Sequence, residues 1–326
     1  MIARLQPNRV RRTYLGGGRI DAFCGTTILS EVPMPEDWMA STVTAFNGMS
    51  EIAGEGLGRF EDGRLVKDVV GELPILVKLL DSDERLVIQA HPTVPCAKRL
   101  FGSPVGKTEC WYFLPGTAED ACIYLGFKPG VTRTAWEEAV RAGMDGVRSL
   151  LSFLHRIPVA PGDFVFVDGG MPHAIGGGCF MVELQEPSDL MVVAERFTPS
   201  GRRIPDAKMH GGVGWDRMFD VYEYNGFECD ELCRRYVRRG FRCKDRKEDA
   251  SQAACRICGP ELTDKFEMWL VSGGGRVMLP RERSVAVVTE GAGLLNGLSV
   301  KNGDRLLLAD EDALEVEGDA TVVVCA

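Results

Sequence analysis

Two neutral ligand-type residues share one face of an otherwise apolar segment. The stretch LVIQAHP, residues 86 to 92, carries Gln89 and His91 two positions apart. In an extended strand such side chains point the same way, and Pro92 ends regular pairing. The chain has only four histidines, His91, His155, His173 and His210. His91 and His173 each adjoin a proline, in HP and PH, at the end of a strand-like run. Glu109, in GKTEC, offers a carboxylate. Gln89, His91, Glu109 and His173 would together supply two nitrogens and two oxygens, a set that zinc accepts with a position left open for water or substrate. The alternative is a pair of satisfied polar residues in loops. His155 closes a helical stretch and is expected to cap it, and His210 lies in the loop MHGGVGW.

These residues need elements to hold them, and the texture of the chain indicates which. LPILVKLL (73 to 80) and RLVIQAHP (85 to 92) read as strands around the turn DSDE, which predicts a hairpin. GKTECWYFL and ACIYLGF read as a second strand pair. Residues 132 to 155 change to helical period, with Thr134 as N-cap and Glu137 three residues later. Short strands punctuated by glycine and proline then resume, and one further helix is expected near 229 to 238. Many short strands with glycine-rich turns predict a mainly β chain built as sandwich or jelly-roll barrels. VAPGDFVFVDGGMPHAI (159 to 175) and VKNGDRLLLADEDALEV (300 to 316) share a Gly-Asp turn followed by an apolar strand. The parallel predicts two copies of one barrel module. Only the first copy ends in a histidine; the second has Ala313 and Leu314 there.

Composition narrows the function classes. The 326 residues are 45% hydrophobic and 26% charged, ordinary for a soluble globular protein. A net charge of −9 argues against a nucleic-acid partner, though a local group of cations can still hold a small anion. No run of about 18 apolar residues predicts a membrane span. The N-terminus does not read as a secretory signal. With eleven cysteines, this points to free thiols in a reducing, cytoplasmic setting. Cys255 and Cys258 have metal-knuckle spacing within a group that includes Cys229, Cys233 and Cys243, but no second pair matches them, so scattered thiols are the better reading.

ILVKLLDSDERLVIQAHP, GKTECWY and PGDFVFVDGGMPHAIGGGCFMVELQEPSD, in this order, closely resemble the type I phosphomannose isomerases in their short bacterial form. RTYLGG, the PEDW stretch, TPSGRRIPD and EGAGLLNG extend the resemblance along nearly the whole chain. It implies two cupin-type jelly-roll barrels with an added helical segment. The expected division is a metal-binding barrel over 1 to 225, including the helical part, and a ligand-free barrel over 226 to 326. It also implies one zinc ion per chain on Gln89, His91, Glu109 and His173. The expected reaction interconverts mannose 6-phosphate and fructose 6-phosphate by C1–C2 proton transfer through an enediol. Lys78 and Lys107 match pocket lysines, Glu183 a pocket carboxylate and Asp189 a further acidic position. Lys107 and Glu183 are candidates for the base. Two departures fall on the substrate side. The family's usual arginine position is Val193, with Arg196, Arg202 or Arg203 as possible substitutes, and a usual Ser or Thr near the phosphate is Val87. Another sugar substrate, or sugar binding without turnover, are the competing readings.

Overall fold

The computed structural model describes residues 1–27, 32–46, 52–143, 147–241, 253–279 and 282–326, with the side chains of 147–149 outside that description. Cys243 lies outside the described residues. The chain forms four antiparallel sheets arranged as two cupin-type barrels.

The first barrel pairs a seven-stranded sheet with a five-stranded one. The larger sheet runs in the order Val237–Arg238, Phe164–Val167, Glu109–Phe113, Cys179–Gln185, Leu76–Ser82, Glu36–Met39, Arg9–Val10. The smaller runs Val192–Val193, Gln89–Ala90, His173–Ile175, Cys122–Phe127, Leu154–Pro158. The second barrel pairs a six-stranded sheet with a four-stranded one. Sheet membership does not follow one cut in the chain. Ile2–Arg4 pairs with Arg305–Ala309 in the second barrel, and Val237–Arg238 pairs with Phe164–Val167 in the first.

The expected hairpin and the second expected strand pair are both replaced by longer-range pairing. Leu76–Ser82 pairs with Cys179–Gln185 and Glu36–Met39, whereas Gln89–Ala90 belongs to the opposite sheet. Two contacts account for the crossing. Asp81 Oδ2 accepts the backbone N–H groups of Gly17 and Arg19, which ties the end of the first strand to the N-terminal segment. Glu195, held by Arg85, takes the N–H of Ile88. Glu109–Phe113 and Cys122–Phe127 likewise lie in different sheets. The Gly-Asp turns do repeat: Gly162 and Gly303 both hold φ near +90°, at +90° and +85°, ahead of strands Phe164–Val167 and Arg305–Ala309.

The large sheets of the two barrels pack on each other. Alternation sends Val77, Leu79, Cys110, Val182 and Leu184 to one face, where they join Ile257, Met268, Val285 and Val323 in one core. Cys110 meets Cys258 there, and burial followed by that contact pushes its thiol pKa well up. The interior of the second barrel is aliphatic, with Val288, Leu306, Leu314 and Val322 among its residues.

The helical segment resolves as Arg133–Ala142 and Val147–Ser152. Its cap is Thr132, not Thr134: the Thr132 side chain accepts from Ala135 N–H at 3.2 Å, while Thr134 already lies inside the helix. His155 is not a helix cap either. It sits in strand Leu154–Pro158, and its Nε2 lies 2.8 Å from the Phe227 carbonyl. The second expected helix forms over Cys229–Tyr236. No helix among the described residues is long and apolar enough to cross a membrane.

Candidate metal centre and adjoining pocket

The two sheets of the first barrel bring the ligand candidates together. His173 faces Gln89 across adjacent strands, and Val193 faces Gln89 from the other side. His91 follows just beyond the strand end. On the opposite sheet Glu109 pairs with Gln185, and Glu183 pairs with both Lys78 and Trp111. Antiparallel partners and positions two apart share a face, so Glu109, Trp111, Glu183, Gln185 and Lys78 all point inward.

The loop before Glu109 is pinned. Glu186 accepts the N–H groups of Gly106 and Thr108, and the Ser188 hydroxyl donates to the Gly106 carbonyl. A Cβ at Gly106 would come within 2.7 Å of the Pro92 carbonyl, so only glycine fits this approach to the strand of His91.

His91, Glu109 and His173 converge, all buried. His91 Nδ1 lies 3.0 Å from the Leu190 carbonyl and His173 Nδ1 lies 2.9 Å from the Met171 carbonyl. A carbonyl only accepts, so each Nδ1 carries the proton and each Nε2 presents a lone pair. Those lone pairs meet carboxylate oxygens: His91 Nε2 is 3.2 Å from Glu109 Oε2, and His173 Nε2 is 3.3 Å from Glu109 Oε1. Burial, then Lys107, drives His91 down to about 3, and burial lowers His173, so neither ring is charged at neutral pH. For Glu109 burial acts upward, but Lys107 and His91 overcome it and hold the carboxyl well below its usual range. His173 Nε2 and Glu109 Oε2 are buried without a hydrogen-bond partner. Acceptors facing acceptors in a dry interior call for a cation between them. Two imidazole nitrogens, a carboxylate and the neighbouring Gln89 amide suit zinc, manganese or cobalt. Lys107 Nζ meets part of that need, 2.8 Å from His91 Nε2 and 3.2 Å from Glu109 Oε2. Among the described residues this is the one His/Cys/Asp/Glu group that could hold a metal ion, and Cys255 and Cys258 form no such group.

A cavity of about 40 Å³ adjoins the cluster, lined by Gln89, Lys107, Glu183, Lys78, Asp189, Val87 and Val193, among others. Its polar wall is a buried charge network. Lys78 Nζ donates to Glu183 Oε1 at 2.6 Å and lies 3.7 Å from Glu36. Arg12 grips Asp189 with two hydrogen bonds of 2.9 and 3.0 Å and pairs with Glu36. Tyr14 OH and Trp38 Nε1 each donate to Glu36 at 2.7 Å, and Trp38 lies against both Lys78 and Arg12. Burial raises the Glu183 carboxyl although Lys78 opposes it. For Glu36 burial also acts upward, but Arg12 and Lys78 hold it far down.

The structure thus gathers eight of the nine sequence candidates, namely Gln89, His91, Glu109, His173, Lys107, Glu183, Lys78 and Asp189. Arg196 stands apart. Its guanidinium lies 4.6 Å over Trp215 and 3.8 Å from Asp206, and it does not line the cavity. Arg202 and Arg203 are exposed. Sequence reasoning missed Arg12, Tyr14, Glu36 and Trp38, although RTYLGG and PEDW had drawn attention as part of the resemblance. It also missed Lys208, a buried residue of the cavity wall. From its placement, Arg196→Ala is expected to leave the metal affinity of the His91, Glu109 and His173 cluster within about threefold of wild type, as measured by titration, because no contact to the pocket or the cluster is lost.

No protein-family model matches the chain. A curated Bacillus subtilis protein named "Probable mannose-6-phosphate isomerase GmuF" is 35% identical over 130 residues, 40% of this chain and 37% of that protein. Mannose-6-phosphate isomerase ManA of the same organism is 38% identical over 116 residues, 36% of this chain and 35% of that protein. The matched stretches therefore span little more than a third of these relatives. In three dimensions the likeness runs end to end. The crystal structure of the mannose 6-phosphate isomerase from Bacillus subtilis superposes with a TM-score of 0.73 at 19% identity, covering 100% of this chain and 99% of that one. The chain thus shares its fold with that isomerase along its full length, and its sequence with the two curated proteins over 116 to 130 residues.

Proposed function

We propose that the protein is a metal-dependent aldose–ketose isomerase that interconverts mannose 6-phosphate and fructose 6-phosphate. The observation that carries this reading is the set of converging, unprotonated acceptors on His91, Glu109 and His173 beside a cation-lined cavity. Gln89, His91, Glu109 and His173 would hold one zinc ion. When bound, zinc supplies a positive charge that stabilises negative charge on the sugar oxygens at C1 and C2.

The remaining roles belong to side chains of the cavity. Glu183, its carboxyl raised by burial, accepts the proton leaving carbon and returns it to the neighbouring carbon. Lys78 holds Glu183 in place through their 2.6 Å contact. Lys107, between the cluster and the cavity, donates a hydrogen bond to the oxygen that becomes an enediolate. Arg12 and Asp189 hold the wall of the cavity as a fixed bidentate pair. Val87 and Val193, both in the cavity lining, offer neither a hydroxyl nor a guanidinium at the two positions where the family resemblance leads one to expect them, which favours a second reading: the same reaction on a different sugar phosphate.

Running the reaction in deuterium oxide tests the proton-transfer scheme. Ketose product recovered from mannose 6-phosphate should carry solvent deuterium at the carbon that gains the proton, as detected by NMR. Conversion with no deuterium in the product would mean either that the proton on Glu183 returns before it exchanges or that hydride shifts directly between the carbons; loss of turnover in Glu183→Gln would then keep the enediol scheme, and unchanged turnover would contradict it. Conversion of another sugar phosphate, but not this one, would select the second reading.

A further inference from the structure

A second cavity, of about 430 Å³, shares none of its lining residues with the pocket beside the cluster. That volume is in the range of small-molecule sites. One wall is the loop of residues 168 to 172, which joins strand Phe164–Val167 to strand His173–Ile175. The same loop serves the metal cluster. Gly170 N–H donates to the His91 carbonyl at 2.6 Å, and the Met171 carbonyl lies 2.9 Å from His173 Nδ1. A Cβ at Gly169 would come within 2.9 Å of Thr93 Cα, so the loop presses on the chain that follows His91.

Asp168 does not do here what its position in the chain suggests. Met171 N–H donates to the Asp168 carbonyl at 3.1 Å, which makes Asp168 the first residue of a tight turn. An aspartate there commonly bonds the backbone N–H two residues on. That N–H, of Gly170, is already given to His91, and Asp168 lines the cavity instead. Its one side-chain partner among the described residues is Tyr236, whose hydroxyl donates at 3.1 Å. Burial raises the Asp168 carboxyl, with Tyr236 and then Arg235 opposing. Glu223 flanks the same turn. Gly170 holds φ at +87°, and a Cβ there would come within 2.3 Å of Glu223 Cγ, so only glycine leaves room for this side chain.

The other charged groups of the lining are cations. Arg235 comes from helix Cys229–Tyr236 and Lys265 from the chain before strand Met268–Ser272. Two acids thus meet two cations, and the balance of charge favours neither a bare cation nor a bare anion. What the walls offer is hydrogen bonding of both senses, from carboxylates, cations and the Asn225 amide. Phe127 and Met171, both buried, add an apolar surface. A molecule with several hydroxyls and exposed C–H faces meets both features.

We propose that this cavity is a second ligand site, separate from the sugar-phosphate pocket, for an uncharged polyhydroxyl compound whose hydroxyls donate to Asp168 and Glu223. The assignment does not rest on the isomerase reading. Methionine-methyl NMR of the full, metal-loaded chain tests it, because Met171 lines this cavity and Met191 lines the other. The probes are mannose, glucose and mannitol, and at least one should shift the Met171 methyl in a saturable way. Loss of a hydrogen bond to a charged group should weaken that binding about tenfold or more in Asp168→Ala. Glu223 is exposed, so Glu223→Ala should fold. It should weaken binding about threefold or more, and it checks the site if Asp168→Ala does not fold. A Met171 methyl unmoved by all the probes at their solubility limits would overturn the proposal. So would a response confined to Met191, or a Met171 titration that neither variant changes. A Met171 response to inorganic phosphate or to ethanolamine alone would overturn the ligand class.

Discussion

Glu109→Gln is expected to purify without a stoichiometric metal ion and to turn over mannose 6-phosphate about a thousandfold more slowly, equivalent to roughly 4 kcal/mol of lost transition-state stabilisation. The reason is local. Glu109 is the anion that faces both imidazole lone pairs, at 3.2 Å and 3.3 Å. A neutral amide removes the charge that offsets a buried cation, and it leaves the Lys107 ammonium without its carboxylate. The size and shape of the side chain are kept, so a fault in folding should be small. Metal content by elemental analysis and melting temperature separate the two effects. A variant that retains a full equivalent of metal and wild-type activity would show that the ligands lie elsewhere.

The second large effect is on stability. Lys78→Met should lower the unfolding free energy of the metal-free protein by about 3–5 kcal/mol, the usual cost of stranding one member of a buried ion pair. Lys78 is 2% exposed, and Glu183, its 2.6 Å partner, is 3% exposed. Without Lys78, Glu183 loses its hydrogen-bonded cation and keeps only the weaker influence of Lys107, while Glu36 keeps Arg12, Tyr14 and Trp38. The double variant Lys78→Met/Glu183→Gln should therefore recover much of the loss. The sign of the pH dependence follows from Glu183. Burial already raises its folded-state pKa, and loss of Lys78 raises it further. A raised acid is neutral in both states below its unfolded value, and its penalty grows as pH climbs from there towards the folded value. The deficit of Lys78→Met relative to wild type should therefore be largest near neutrality and shrink as pH falls towards the folded-state value of wild-type Glu183, which burial holds above its ordinary range. Urea denaturation at several pH values measures this. A pH-independent deficit of under about 1 kcal/mol would mean that the pair is solvated in solution.

The convergence of His91, Glu109 and His173 was legible because its signals are local. Gln89 and His91 sit two apart on an apolar strand, and each histidine adjoins a proline at a strand end, so type, spacing and position agree. Chain pairing was not local, and there the sequence misled. Leu76–Ser82 pairs with Cys179–Gln185, about a hundred residues away, although the intervening turn DSDE reads as a hairpin. Asp81 serves the N-terminal segment rather than a hairpin turn, a use that no short window reveals. The same non-locality hid Arg12, Tyr14 and Glu36, which reach the pocket from an irregular stretch without periodicity. Lys208 was hidden for a different reason: a single lysine in a glycine- and proline-rich loop carries no signal of burial until the helix Asp206–Met209 is seen against Val193. Arg196 shows the converse. Its nearness in sequence to Val193 made it a natural substitute, but the strand ends there and its guanidinium is taken up by Trp215 and Asp206.

The most direct test of the account is a zinc titration of metal-stripped protein, following fructose 6-phosphate formation from mannose 6-phosphate in a coupled assay. The account predicts negligible activity at the start, a linear rise and a plateau at one zinc per chain. Folded protein that stays inactive when saturated with zinc, manganese or cobalt would contradict it, as would full activity in the metal-free state.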